Sequence, residues 1–123
     1  MSTIHIGLET AVRAELFNER HLFDAERMAG ALDVSIATVA AAIGKRVQRR
    51  KSAESLQDGL GRLGVVYSDL IELFADDRDA VLRWFNTPNR ALEGRARPKT
   101  LLEHGDLEVL EALVDAMKRR QPL

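Results

Sequence analysis

Apolar residues recur along this chain mostly at intervals of three and four, the rhythm of amphipathic helices, with short polar or glycine-bearing breaks between them. Leu8, Val12 and Leu16 keep a spacing of four, with Phe17 alongside, and predict a first helix over roughly residues 8–19. The TIHI run before it alternates weakly and reads either as a short strand or as an arm. Ala25, Met28, Ala29 and Leu32 then form one apolar face behind Asp24, a suitable N-cap, and the pattern stops near Asp33. Val34 and Ser35 fit a tight turn and a new cap. A second short helix follows, burying Val39 and Ile43 and ending at Gly44.

Beyond residue 51, Leu56, Leu60, Leu63, Tyr67, Leu70 and Phe74 mark a long helix with one buried seam, capped by Ser52 and running to about Ala75. Gly59, Gly61 and Gly64 oppose it, each costing about 1 kcal/mol relative to Ala. Either the helix breaks near Gly64 or the glycines admit another backbone; one continuous helix, straight or bent, is the expectation. Asp76 or Asp77 caps the next element, whose Ala80, Val81, Trp84 and Phe85 point inward. Pro88 disfavours a helical Thr87, so this helix ends near Asn86. Asn89 to Leu92 form a single turn closed by Gly94, Pro98 opens a short helix through Leu102, and Gly105–Asp106 resets the chain. Leu107, Leu110, Leu113, Val114 and Met117 line a last helix before KRRQPL. The fold class is therefore all-α.

Length and composition narrow the picture. The 123 residues fit one domain, or two small halves sharing a core and meeting near residue 51. No stretch approaches the roughly 18 to 20 apolar residues of a membrane span, so no membrane partner is expected. Without cysteine there is no disulfide framework or thiolate metal site, and the N-terminus lacks the pattern of a signal peptide; a cytoplasmic protein is the expectation. Net charge is −1, but residues 1–51 carry 8 Lys/Arg against 6 Asp/Glu and residues 52–123 carry 10 against 13. Five of the seven residues in KRVQRRK (45–51) are basic, a local cationic patch hidden by the balanced total.

The steps from Met28–Ala29 to Asp33, Val34, Ser35 and Val39 follow a helix-turn-helix. A small Ala29 lets the helices cross closely, and Asp33 stands where glycine is usual, tolerating a left-handed backbone better than most residues. Ser35 and Thr38 are candidate DNA contacts, and Lys45, Arg46, Arg49, Arg50 and Lys51 suit phosphates, which position a protein without reading sequence. The second helix otherwise offers Ile36, Ala37, Ala40, Ala41 and Ala42, none able to make a paired contact with a base edge. The alternative is an ordinary helical hairpin with a solvated basic turn, its Ile36 and alanine surface serving self-association.

WFNTPNRALEG (84–94), followed by Pro98, Leu101–Leu102 and the final helix, resembles the toxin-binding domain of Xre/MbcA/ParS-type antitoxins; the likeness covers roughly residues 24–120. Glu93–Pro98 is about one residue longer than the family's usual Gly-Arg-Ser-Pro turn. The resemblance implies a non-enzymatic protein with a helix-turn-helix for dimerisation and DNA contact at 1–51 and a toxin-binding helical domain at 52–123. Its partner would be a cognate RES-domain toxin, whose family activity is directed at NAD by degradation or ADP-ribosyl transfer and is held inactive by occlusion. Many such antitoxins bind their own promoter, so a homodimer and operator DNA enter as further partners. Trp84 and Phe85 would pin the elbow from inside, Pro88 restrict its backbone, and Asn86 and Asn89 satisfy turn amides, leaving Arg90, Arg95 and Arg97 outward as contacts. Lys118, Arg119 and Arg120 would reach toward the toxin's nucleotide pocket. The plainer readings are core residues, caps, a solvated face and cations complementing a helix C-terminus.

Enzyme readings find little support. His5, His21 and His104 lack metal-ligand spacing, no glycine-rich phosphate loop follows a strand, and Asp76, Asp77 and Asp79 lack a calcium loop's pattern. No cofactor is expected. The rival function is a stand-alone helix-turn-helix repressor whose C-terminal half only dimerises; a helical scaffold without a nucleic-acid role is a third.

Overall fold

A computed structural model describes residues 3–6, 10–44 and 54–120. Among them are an antiparallel pair of strands, β1 (Thr3–Ile6) and β2 (Thr10–Arg13), and six helices: α1 (Ala25–Leu32), α2 (Ile36–Ile43), α3 (Glu54–Leu73), α4 (Arg78–Phe85), α5 (Pro98–Glu103) and α6 (Leu107–Arg120). The body is helical, built around α3.

The helix expected over residues 8–19 is replaced by β2 and a 3-10 turn at Ala14–Leu16. Residues four apart share a face on a strand as they do on a helix, so the Leu8–Val12–Leu16 spacing does not discriminate between them. Pairing decides it. Ile4 stands opposite Val12 and Thr3 opposite Arg13, giving the TIHI run its strand partner. The Arg13 amide then donates to Ser68 Oγ (2.9 Å), and its guanidinium meets Glu15 and Asp76 at the far end of α3. Leu16, fully buried, starts the core.

A short loop returns the chain to α1. Phe17 and Phe23 stack at 4.4 Å, and Gln57 of α3 both accepts from the Phe23 amide (2.8 Å) and donates to its carbonyl (3.0 Å). That aromatic pair explains two of the α3 glycines. A Cβ at Gly64 would sit 2.8 Å from the Phe23 ring, and one at Gly61 3.3 Å from it. Gly59 faces Ile43, where an added Cβ would sit 2.8 Å from the Ile43 Cβ. The helix is unbroken, and it is side chains rather than another backbone that use the glycines. Their propensity cost of about 1 kcal/mol each is offset by this close packing.

Asp24 caps α1, accepting from the Glu26 and Arg27 amides, and Ser35 caps α2. Between them Asp33 adopts φ 57°, ψ 48°, with the Val34 amide bonded to the Ala29 carbonyl. Two α1 carbonyls accept from a residue the sequence did not single out. Arg78, at the start of α4, donates from Nε to Ala31 O (3.1 Å) and from Nη2 to Gly30 O (2.7 Å).

One core runs from Leu16 through Met28, Leu32 and Val39 to Leu63, Leu70, Phe85, Leu102, Leu110 and Val114. The α1–α2 pair and the C-terminal helices share it. At their junction Gly105, between α5 and α6, lies so close to α2 that an added Cβ would be 2.8 Å from the Ala41 carbonyl.

Candidate functional site

The site is the elbow between α4 and α5. Asp77 caps α4, accepting from the Ala80 amide (3.1 Å), and Val81 and Phe85 enter the core. Trp84 packs edge-to-face on Phe85, ring centroids 5.1 Å apart, and stays half-buried. The helix ends through its polar side chains: Asn86 Nδ2 donates to Leu82 O (2.8 Å) and Thr87 Oγ1 to Arg83 O (2.6 Å). Asn86 therefore satisfies a carbonyl, where a turn amide was expected.

Asn89 closes the next loop at both levels. Its amide donates to Ala96 O (3.0 Å), its carbonyl accepts from the Leu92 amide (3.1 Å), and its Oδ1 accepts from the Ala91 amide (2.9 Å). Leu92 is the plug beneath this loop, buried among the core residues, and Pro98 is buried at the start of α5. The turn at 89–92 forms as expected, but Gly94 does not end it. Gly94 (φ 66°) lies within a 3-10 turn at Glu93–Arg95, and Arg95 follows with φ 55°. Two successive left-handed residues take up the length between Leu92 and Pro98; for arginine this conformation costs on the order of 1 kcal/mol or more.

Pro88, Arg90, Arg95 and Arg97 are exposed, as is Asn86, while Trp84 and Asn89 are half-buried. The elbow thus brings Trp84, Asn86, Pro88, Asn89, Arg90, Arg95 and Arg97 onto one short segment. Two further cations flank them, Arg83 on α4 and Lys99 on α5. Their signal was available as a plain charge count: residues 83–99 hold five Lys/Arg and one acid, Glu93.

The C-terminal cations behave differently. Lys118, Arg119 and Arg120 form the last turn of α6. Lys118 Nζ lies 3.3 Å from Asp69 and Arg119 pairs with Asp115 one turn back (2.9 Å), leaving Arg120 without an ion pair among the described residues. Asp69 is half-buried between α3 and α6. Burial pushes its carboxyl above the ordinary carboxylate range, against the pull of Lys118 and with a small addition from Glu72 and Asp115. A raised folded-state value means the ionised side chain is a cost. That cost is absent below the ordinary carboxylate range and is reached as pH rises through the shifted value. Asp69→Asn is accordingly expected to melt no lower than wild type at pH 7, with any advantage closing as pH falls to about 4. A clearly lower midpoint at pH 7 would mean that the Lys118 pair outweighs burial.

At the start of α2, Ser35 Oγ caps the helix by accepting from the Thr38 amide (3.1 Å) and lies 3.1 Å from Thr38 Oγ1, so the two candidate DNA contacts engage each other. Ile36 and Ala37 are exposed beside them. Lys45, Arg46, Arg49, Arg50 and Lys51 lie outside the described residues, as does Ser52. Among the described residues no helix is long and apolar enough to cross a membrane. Comparison with family models, with curated proteins and with solved structures finds no match for this chain.

Proposed function

We propose that this chain is an antitoxin that binds and neutralises a RES-type toxin acting on NAD, by occluding its active site. The observation that carries the reading is the WFNTPNRALEG elbow, in which the signature residues form a closed, hydrogen-bonded loop that displays arginines. A surface ordered before contact loses less entropy on binding, which is what a stoichiometric inhibitor needs. Asn86 and Thr87 close the end of α4 and Asn89 closes the loop after it; Trp84 and Leu92 hold the elbow to the core. The chain acts by occupancy and is not an enzyme. It works in the cytoplasm, where its toxin's substrate is found.

Promoter binding by a dimer is the second activity of this reading, favoured by the α1–Asp33–α2 geometry. Because Ser35 and Thr38 are engaged with each other, such binding relies on phosphate contacts from the basic run at 45–51 more than on base reading.

Co-expression with a RES-domain protein, the proposed partner, tests the main reading. The expected outcome is restored growth and a complex that survives size-exclusion chromatography. Growth arrest undiminished by the full-length chain, with no co-purification, would leave the repressor reading in its place.

A further inference from the structure

Among the described residues the cations fall into three groups: those tied by partners, the scattered unpaired Arg20, Arg27 and Arg120, and one unpaired cluster. Arg13, Arg62, Lys118 and Arg119 are tied into ion pairs with Asp76 and Glu15, Glu111, Asp69 and Asp115, and Arg78 is consumed capping α1. Arg83, Arg90, Arg95, Arg97 and Lys99 have no ion-pair partner among the described residues, though all five lie within seventeen residues of one another. A surface assembled only for solubility would intersperse both signs and pair them locally, as the α3–α6 face does. The elbow keeps like charges together and holds Arg95 in a backbone conformation that glycine or asparagine would adopt at lower cost.

We propose that the elbow is a docking surface for a carboxylate-rich face of the protein partner, with Arg90, Arg95 and Arg97 as its principal contacts. This rests on the antitoxin reading and adds the chemistry of the surface that must meet it. Composition favours a protein over a nucleic-acid backbone. Four of the five cations are arginine, and along the chain they are interleaved with Trp84, Pro88 and Ala91. Arginine and aromatic residues are enriched and lysine depleted at protein interfaces. Arginine's planar fork grips a carboxylate with two parallel bonds, and its weaker hydration makes it easier to desolvate than lysine. The closed 89–96 loop fixes where Arg90 and Arg95 leave the backbone, so their charges sit in place before encounter. The main consequence is kinetic: the partner is steered onto the elbow by long-range attraction, and salt screens that attraction.

Stopped-flow association of the full chain with the purified RES-domain protein, at 25 and 500 mM NaCl, tests this. Wild type is expected to slow about 10-fold or more between the two salt concentrations. The variant Arg90→Gln, Arg95→Asn, Arg97→Gln should already be about 10-fold slower at 25 mM and change little with salt. It should melt at or slightly above wild type, since none of the three side chains has a partner to lose and Asn suits the left-handed position. A second variant with lysine at all three positions should keep the steered rate and lose residence time, separating charge from bidentate geometry. Equal rates and salt slopes in wild type and the neutralised variant would overturn the proposal while leaving the antitoxin reading intact. No complex with wild type at either salt concentration would remove both. Binding of a 20-base-pair DNA duplex that vanishes in the neutralised variant would assign the surface to phosphate and likewise overturn it.

Discussion

Gly105→Ala is expected to destabilise the protein by about 2 to 4 kcal/mol, lowering the melting midpoint by on the order of 10 °C. Two costs add at this position. Gly105 has φ +74°, which a side chain adopts with strain, and the new Cβ would lie 2.8 Å from the Ala41 carbonyl, a backbone atom that cannot turn aside. Relief requires the α5–α6 turn to move off α2, separating the C-terminal helices from the α1–α2 pair. Since the core is continuous across that boundary, Trp84 fluorescence and helical circular dichroism should still fall together in one transition. Gly30→Ala is the control. It lies in α1 with nothing within 4 Å of its added Cβ and should stabilise by about 0.4 to 1 kcal/mol. Equal midpoints for Gly105→Ala and wild type would mean that this junction is loose.

Trp84→Ala is expected to cost about 2 to 4 kcal/mol of toxin affinity, a loss of roughly 30- to 1000-fold, the range of aromatic anchors at interfaces. Its ring is half-buried and packs edge-to-face with Phe85. Phe85→Ala, by contrast, removes a ring that is almost wholly buried and should cost about 3 to 5 kcal/mol of folding stability. Titrating NAD consumption by the toxin against each variant, alongside thermal melts, separates the two roles. If Trp84→Ala inhibits as well as wild type, the indole is a core residue only and the elbow binds through its arginines.

The helical half of this fold is legible in the sequence because local chemistry and packing agree there. Asp24, Ser35 and Asp77 cap the helices they precede, Asp33 and Gly44 end them in left-handed geometry, and Pro98 stands at the start of α5. The N-terminal segment was less legible because a spacing of four places residues on one face of either element. Only the pairing of Ile4 with Val12 resolves it, and that contact is not local. The glycines of α3 were ambiguous for a related reason: propensity counts them as defects, whereas Phe23 and Ile43 need the space they leave. Arg78 carried no sequence signal, since an arginine beside three aspartates reads as a surface ion pair and here caps a helix 47 residues away.

Within the elbow, sequence placed the aromatic pair, the proline and the arginines but did not anticipate the loop's closure. Asn89 bonding across to Ala96 depends on where Gly94 and Arg95 turn, and an arginine in the left-handed region is not predictable from residue type. Arg83 and Lys99 were visible as charges. They become members of the surface only once α4 and α5 bracket the loop.

The most direct test is inhibition itself. Purified full-length chain titrated into the proposed RES-domain partner, with NAD consumption followed continuously, should abolish turnover at a simple stoichiometric ratio, and raising NAD should slow the onset of inhibition. Undiminished NAD consumption in the presence of excess chain would contradict the proposed occlusion.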